Sequence, residues 1–294
     1  MSTGAVPAVL STEDQEFFAR EGYVMLPGFL DEAFNEGLKG DVDRLMNDRE
    51  EQRASHIVSY RELGLLTSHP PLIEMLKQLM GPLFAMHHIH AVRQDTGNGG
   101  VHWHQDYEQL PQTNRSHVMV HVFYYLDGLN GEVGDLLVLP RSQDTIVGNG
   151  SLKLLGTEDL PNSLTVDDVP PGTAVIVHSA VWHARRAKPG DGPRYFIDVS
   201  YCQDGVLWPG YGGHQAEINQ TALDNGCGRD GQYDFLYDTS KFFVQSEVRE
   251  KFNELNKGSI ALQMEGLRPG ALPERSFSSR APRVRLDSSL SAAF

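Results

Sequence analysis

The chain has 294 residues and a formal net charge of -14, a balance that argues against a nucleic-acid partner, because the phosphate backbone is met by a basic stripe. Its two cysteines, Cys202 and Cys227, form no Cys-x-x-Cys cluster and indicate neither a disulfide framework nor a thiolate zinc site. No stretch approaches the ~18 apolar residues of a membrane span, and Met1 to Leu10 has no basic segment followed by a long apolar run, so a soluble, unsecreted, cytoplasmic protein is expected.

Ser11-Thr12-Glu13-Asp14 predicts the cap of a short amphipathic helix through Phe17, Phe18 and Arg20, ended by Gly22, which accepts the left-handed conformation cheaply. A strand is expected at Tyr23 to Leu26. Pro27-Gly28 then turns the chain, and Asp31 opens a second helix whose Phe34, Leu38, Val42 and Leu45 recur at helical spacing. A third helix is predicted from Ser68, with Pro70-Pro71 in its first turn and Ile73, Leu76 and Leu79 facing inward.

From about Leu83 the period changes. Phe84 to Val92, Val118 to Leu126, Leu136 to Leu139, Ala174 to Val177 and Tyr195 to Tyr201 are short runs of β-branched and aromatic residues, separated by Gly, Pro, Asn and Asp clusters. Such a series predicts a sandwich or barrel with a ligand site at its mouth. Gly205 to Gly231 has no clear period and reads as a long ordered loop, either a lid over the site or a surface excursion packed by Trp208 and Tyr211. A last helix is expected from Glu247 to Leu255, then a mobile tail rich in Pro, Ser and Arg. No internal repeat is present.

The chemistry concentrates in Val101-His102-Trp103-His104-Gln105-Asp106. On a strand, residues i and i+2 point the same way, so His104 and Asp106 project together while Gln105 faces away. Two imidazoles and one carboxylate on one face suit non-haem ferrous iron and leave the opposite positions open. The triplet alone is weak: 12 histidines and 39 acidic residues in 294 positions give roughly 1.6 His-x-acid triplets by chance, so context must decide. His178 and His183 both stand as third ligands. Arg194 favours His183: a turn through Pro189-Gly190-Asp191-Gly192 returns the chain so that Arg194 starts the adjacent strand, where a buried guanidinium clamps a dicarboxylate bidentately. His87, His88 and His90 read as packing or hydrogen-bonding residues rather than a second metal site, and His56, His69, His117 and His214 as scattered. Tyr107 and Arg185, flanking the ligands, are the first candidates for touching a substrate.

Taken together, these residues resemble the phytanoyl-CoA dioxygenase family of iron(II)- and 2-oxoglutarate-dependent oxygenases. The likeness runs from about Ser11 to Tyr201, through Asp14-Gln15 with Phe18, Gly22-Tyr23-Val24, Trp103 to Asp106, Tyr125-Leu126-Asp127, Gly134 to Pro140, Pro171 to Val175, His178, His183 and Arg194. The resemblance implies a mainly β chain, a double-stranded β-helix (jelly roll, cupin-like) with flanking helices. It also implies His104, Asp106 and His183 on Fe(II), Arg194 on the distal carboxylate of 2-oxoglutarate, and O2 as oxidant. A single domain over 1–268 is expected, with a helical part at 11–81, a jelly-roll core at 83–201, a lid and C-terminal elements at 202–268, and the tail at 269–294.

Two departures stand out. Arg185 occupies a position where the family has a serine that helps hold the co-substrate, and Pro140-Arg141-Ser142-Gln143 replaces a Pro-Gly-Ser-His turn. The run through Tyr107 is also similar to ectoine hydroxylases, but Glu108-Gln109-Leu110-Pro111 breaks their longer signature, so ectoine is disfavoured as substrate. Related halogenases carry Gly or Ala where Asp106 stands, so a carboxylate there implies hydroxylation or desaturation. The expected reaction is hydroxylation of a C–H bond of a small-molecule metabolite, with 2-oxoglutarate going to succinate and CO2. The alternatives are a metal-dependent jelly-roll isomerase, a dioxygenase that needs no 2-oxoglutarate, and a non-catalytic ligand-binding relative; Arg194 discriminates against all three.

Overall fold

The computed structural model describes residues 9–48, 54–95, 99–110, 115–147, 151–187, 190, 192–248 and 250. Its elements in chain order are α1 (Thr12–Glu21), β1 (Tyr23–Leu26), α2 (Glu32–Asn47), α3 (Ala54–Ile57), α4 (Arg61–Leu66), α5 (Pro70–Met80), β2 (Phe84–Gln94), β3 (Val101–His104) and β4 (Met119–Tyr125). There follow β5 (Leu136–Leu139), β6 (Leu164–Val166), β7 (Thr173–His178), β8 (Trp182–Arg185), β9 (Arg194–Gln203), β10 (Trp208–Pro209), α6 (Gln215–Asp224) and β11 (Phe242–Phe243). No helix among the described residues is long and apolar enough to cross a membrane. Residues up to Gln245 make up one compact unit; those from Ser246 belong to another. The expected end of the last helix and the tail lie outside the described residues.

Local chemistry sets the helical part. Ser11 and Asp14 cap α1 reciprocally, each side chain taking the other's backbone N–H at 3.1 Å. Asp31 caps α2 through the Phe34 N–H, and Leu38, Val42 and Leu45 are buried as their spacing predicts. One position in that helix does something the spacing does not show. Asp41 is fully buried, and its carboxylate accepts the N–H groups of Glu62 and Leu63 at 2.6 and 3.2 Å, pinning the first turn of α4 to α2. Neither α3 nor α4 is legible in the sequence, because each is too short to show a period.

The strands form two antiparallel sheets, one in the order β1-β7-β4-β9-β2 and the other β3-β8-β5-β6, a double-stranded β-helix. The period of two decides what each face of the larger sheet does. On β4, Val120, Val122 and Tyr124 pack into the core shared with the helices, while Phe123 and Tyr125 join a cluster with Leu136 and Val138 of the smaller sheet. On β9, Ile197, Val199 and Tyr201 take the helical side, leaving Arg194, Phe196 and Asp198 for the interior cleft. Arg194 is therefore not on a strand adjacent to that of His183, as the turn at 189–192 suggests. Its strand lies between β4 and β2 in the larger sheet, because after β8 the chain changes sheets instead of folding back on itself.

Gly22 ties α1 to the third ligand position. It ends the helix with φ +83°, its carbonyl accepts the His178 N–H at 2.8 Å, and a Cβ there would lie 2.2 Å from Val181 Cγ2. Gly22→Ala is expected to cost about 2–4 kcal/mol from left-handed strain and overpacking. Because Val181 stands two residues before His183, metal affinity should fall with the melting temperature; calorimetry and metal titration of the same protein check both.

The segment Gly205–Gly231 is not a period-free loop. It contains β10 and the ten-residue helix α6, with Trp208 buried and Tyr211 at the rim of the cleft. The helix escapes a sequence reading because its N-terminal end has no side-chain cap and Asn219 and Gln215, both polar, are among its buried residues.

Candidate metal centre

His104 ends β3, His183 lies on β8, and the two are paired across the sheet. Asp106 is not on the strand with His104 but just beyond its end, where its N–H donates to the Ser179 carbonyl at 2.8 Å. The three side chains still converge. Their ligand atoms lie within 4.8 Å of one another, with His183 Nε2 3.0 Å from one Asp106 oxygen and His104 Nε2 3.6 Å from the other.

Backbone carbonyls set the tautomer of both imidazoles. His104 Nδ1 is 2.7 Å from the His102 carbonyl and His183 Nδ1 is 3.0 Å from that of Val181. A carbonyl only accepts, so each Nδ1 carries a proton and it is each Nε2 that faces Asp106. Burial, with His183 beside it, lowers the His104 pKa to about 4, so the ring is neutral at ordinary pH. For Asp106, burial pushes the carboxyl up, but the charge and hydrogen bond of His183, with His121 and His104, hold it well below the usual carboxylate range. Two imidazoles that present Nε2 and one ionised carboxylate are the donor set that a mixed nitrogen–oxygen ferrous site requires. His178 is elsewhere: buried between Phe18 and Tyr107, it accepts the Ala180 N–H at Nδ1 and lies outside this cluster.

The cluster opens into a cleft of about 720 Å³. Alternate residues of three neighbouring strands line it: His88, His90, Val92 and Gln94 of β2, Arg194, Phe196 and Asp198 of β9, and His121, Phe123 and Tyr125 of β4. Toward one end, Gln94 Oε1 accepts from Arg194 Nη1 at 2.9 Å and from Arg185 Nη1 at 2.8 Å. The Arg194 guanidinium lies over the rings of Phe196 and Tyr125, 4.7 and 5.2 Å from their centroids, is 3% exposed, and leaves its Nε without a hydrogen-bond partner. No carboxylate among the described residues forms an ion pair with it. Burial lowers its pKa from the ordinary arginine value, the mark of a guanidinium desolvated without a paired carboxylate. Tyr107 does not line this cleft. Its hydroxyl donates to the His117 carbonyl, and its ring lies between His178, Trp208 and Arg115. Arg185 does line it.

A second group is not foreshadowed by the His-x-acid motif. His88, His121 and Asp198 also bring potential ligand atoms within 4.8 Å of one another. His88 is hydrogen-bonded to His87 and Ser200, His87 to the Pro209 carbonyl, and His90 meets the Tyr211 hydroxyl at 2.6 Å. Strand parity was the available signal for this cluster: His88 shares a face with Gln94, and His121 with Tyr125. Both Asp198 oxygens lie 2.9 Å from His121 Nδ1. Burial opposes charge on His121, yet Asp198, by charge and hydrogen bond, and then Asp106 and Glu108 raise its pKa to about 9. A pKa raised above the unfolded value of about 6.5 contributes stability fully present below that pH and lost as pH rises through 9. Asp198→Asn is therefore expected to lower the melting temperature by roughly 3–6 °C at pH 6, and by progressively less toward pH 10, in paired thermal scans.

Comparison with known proteins agrees with this geometry. The family model described as phytanoyl-CoA dioxygenase (PhyH) matches residues 18–195. No curated protein matches the chain in sequence. Among solved structures, the non-heme alpha ketoglutarate dependent carbocyclase SnoK from nogalamycin biosynthesis is similar with a TM-score of 0.58 and 20% identity, over 69% of this chain and 88% of that one. HygX from Streptomyces hygroscopicus with nickel and 2-oxoglutarate bound gives 0.56 and 14%, over 68% and 90%. EctD from S. alaskensis with 2-oxoglutarate and 5-hydroxyectoine gives 0.55 and 17%, over 69% and 78%. At these identities the likeness is one of fold, whereas the family match spans more than half of the sequence. The chain belongs to the phytanoyl-CoA dioxygenase family of non-haem iron(II)- and 2-oxoglutarate-dependent oxygenases.

Proposed function

We propose that the protein hydroxylates a C–H bond of a small-molecule metabolite, converting 2-oxoglutarate to succinate and CO2. In this reading His104, Asp106 and His183 hold iron(II), and Arg194 takes the distal carboxylate of 2-oxoglutarate. One observation carries it. A single cleft presents the Nε2 atoms of two imidazoles beside an ionised carboxylate and, elsewhere on its wall, a buried guanidinium with an unpartnered Nε. An isomerase, a dioxygenase without a dicarboxylate, or a binding relative has no use for that cation, whose desolvation is costly without an anion.

Iron(II) and 2-oxoglutarate, when bound, supply dioxygen activation and the oxidising equivalents for the C–H bond. The chain supplies position and electrostatics. The carbonyls of His102 and Val181 hold the imidazoles in their ligating tautomer, and Phe123, 5.3 Å from the His183 ring, shields that side from water. Gln94 accepts from both guanidiniums and so holds Arg185 beside Arg194 at the co-substrate's end of the cleft. Asp106 fills the position that a halide would need, which favours hydroxylation over halogenation.

Anaerobic addition of iron(II) and 2-oxoglutarate together is expected to produce a weak visible charge-transfer band, and oxygen then to release succinate. Neither metal nor 2-oxoglutarate alone should give the band. Absence of both band and succinate sinks this reading.

A further inference from the structure

The His88–His121–Asp198 cluster lines the same cleft as the metal triad but shares no residue with it, and the hydrogen-bond roles of its atoms follow one from another. His87 Nε2 lies 2.9 Å from the Pro209 carbonyl, which only accepts, so Nε2 carries the proton and His87 Nδ1 is an acceptor. His88 Nδ1, 2.8 Å from His87 Nδ1, must then be the donor of that pair. His88 is therefore protonated at Nδ1 and has its lone pair at Nε2, the end of the ring not engaged with His87 or Ser200. Burial keeps both rings neutral, lowering His87 to about 4 and His88 well below the ordinary value. Tyr211 stacks on the His88 ring at 4.4 Å and 17°, fixing its plane.

His121 has the opposite character. Its Nδ1 donates to the Asp198 carboxylate, and its Nε2 is buried without any hydrogen-bond partner although the side chain lines the cleft. Buried polar atoms are almost always satisfied, so an orphan at the wall of an active-site cleft calls for a ligand. With Asp198 bonded to the ring, and Asp106 and Glu108 both acting on it electrostatically, that nitrogen carries a proton. The cleft thus holds an unused donor on His121 beside an acceptor on His88. A carboxylate or phosphate is a poor match, because His121 is already neutralised by Asp198 and an incoming anion would also meet Asp106 and Glu108. A metal ion is a poor match too, since it must displace the His121 proton and compete with Asp198 for it. A hydroxyl group fits both sites at once, accepting from His121 and donating to His88.

We propose that His88 and His121, held by Asp198 and Tyr211, form the substrate-anchoring subsite and recognise a hydroxyl group, so that the substrate is a neutral alcohol of the ring-polyol or sugar-like class. This rests on the oxygenase reading above. Glu108 adds a further hydrogen-bonding group on the same wall and suits a molecule with several hydroxyls better than one with a single polar end.

The test is a panel of ring polyols and sugars, each with its deoxy or O-methyl analogue, alongside matched carboxylates, phosphates and amines, read by oxygen-dependent succinate release. The charge-transfer band, measured on every variant, reports iron and 2-oxoglutarate independently; its loss in the wild type indicts the oxygenase reading, not the subsite. Neutral alcohols are expected to accelerate succinate release, with KM at least 100-fold higher for the analogue lacking the anchored hydroxyl. His121→Phe and His88→Phe should abolish that discrimination while the band persists, and His121→Gln, which keeps a donor, should restore part of it. Nickel titration should give one equivalent bound. The proposal is overturned if only acids or amines accelerate turnover, if no alcohol does, if the discrimination survives in His121→Phe, or if a second nickel equivalent binds and is lost with His121→Phe.

Discussion

Asp106→Ala and His183→Ala proteins are expected to lose more than about 100-fold in iron(II) affinity, and with it the charge-transfer band and succinate release. Even groups that only orient metal ligands are worth about 10–100-fold, and these variants each remove one of the three donors themselves. The geometry gives no replacement at hand. His178 lies outside the triad, and His88 and His121 belong to a separate group with Asp198. Equilibrium dialysis with iron(II) under argon checks the affinity, and circular dichroism checks that the fold persists. Wild-type-like iron binding by either variant would remove that residue from the ligand set.

Arg194→Ala should behave differently. Iron binding is expected to stay close to wild type, while the 2-oxoglutarate concentration needed to develop the band rises by the cost of leaving a carboxylate without its buried partner. That cost is about 2–5 kcal/mol for a charge-assisted pair, or roughly 30-fold to several-thousand-fold in Kd. The range is wide because Arg185 shares Gln94 Oε1 with Arg194 and remains in place to meet part of the charge. Arg194→Lys should recover only a fraction, since an ammonium makes no bidentate contact and does not stack on Phe196 and Tyr125 as a guanidinium does. A titration of 2-oxoglutarate at fixed iron measures the effect. Unchanged 2-oxoglutarate affinity in Arg194→Ala would transfer the clamp to another residue, with Arg185 the first to examine.

The parts of this molecule that were legible beforehand are those governed by neighbours in sequence. The capping box at Ser11, the cap at Asp31, the inward faces of α2 and α5, and the β1 and β5 boundaries all follow from local propensity and period. The ligand triad was legible for a related reason. Two of its candidate members are two residues apart, and the third stands eleven residues before Arg194. Where local signals were weak, the reading missed: α3, α4 and α6 are short or carry polar residues inward, and Tyr107 beside the ligands proved to be a packing residue turned toward Trp208.

By itself, then, the sequence determined a β-rich oxygenase fold and nominated His104, Asp106 and His183 as metal donors and Arg194 as the dicarboxylate clamp, because each of these is written in periodicity or in short fixed spacings. Tertiary structure alone decided that His104, Asp106 and His183 converge while His178 lies apart, that Arg194 stands on the sheet opposite His183, and that His88, His121 and Asp198 meet. Those three come from β2, β4 and β9, whose side-by-side order in the sheet differs from their order in the chain. The register that aligns them is set by the burial of Val122, Val199 and their neighbours against the helices. A cluster assembled by the opposite face of that packing leaves no mark in any single stretch of sequence.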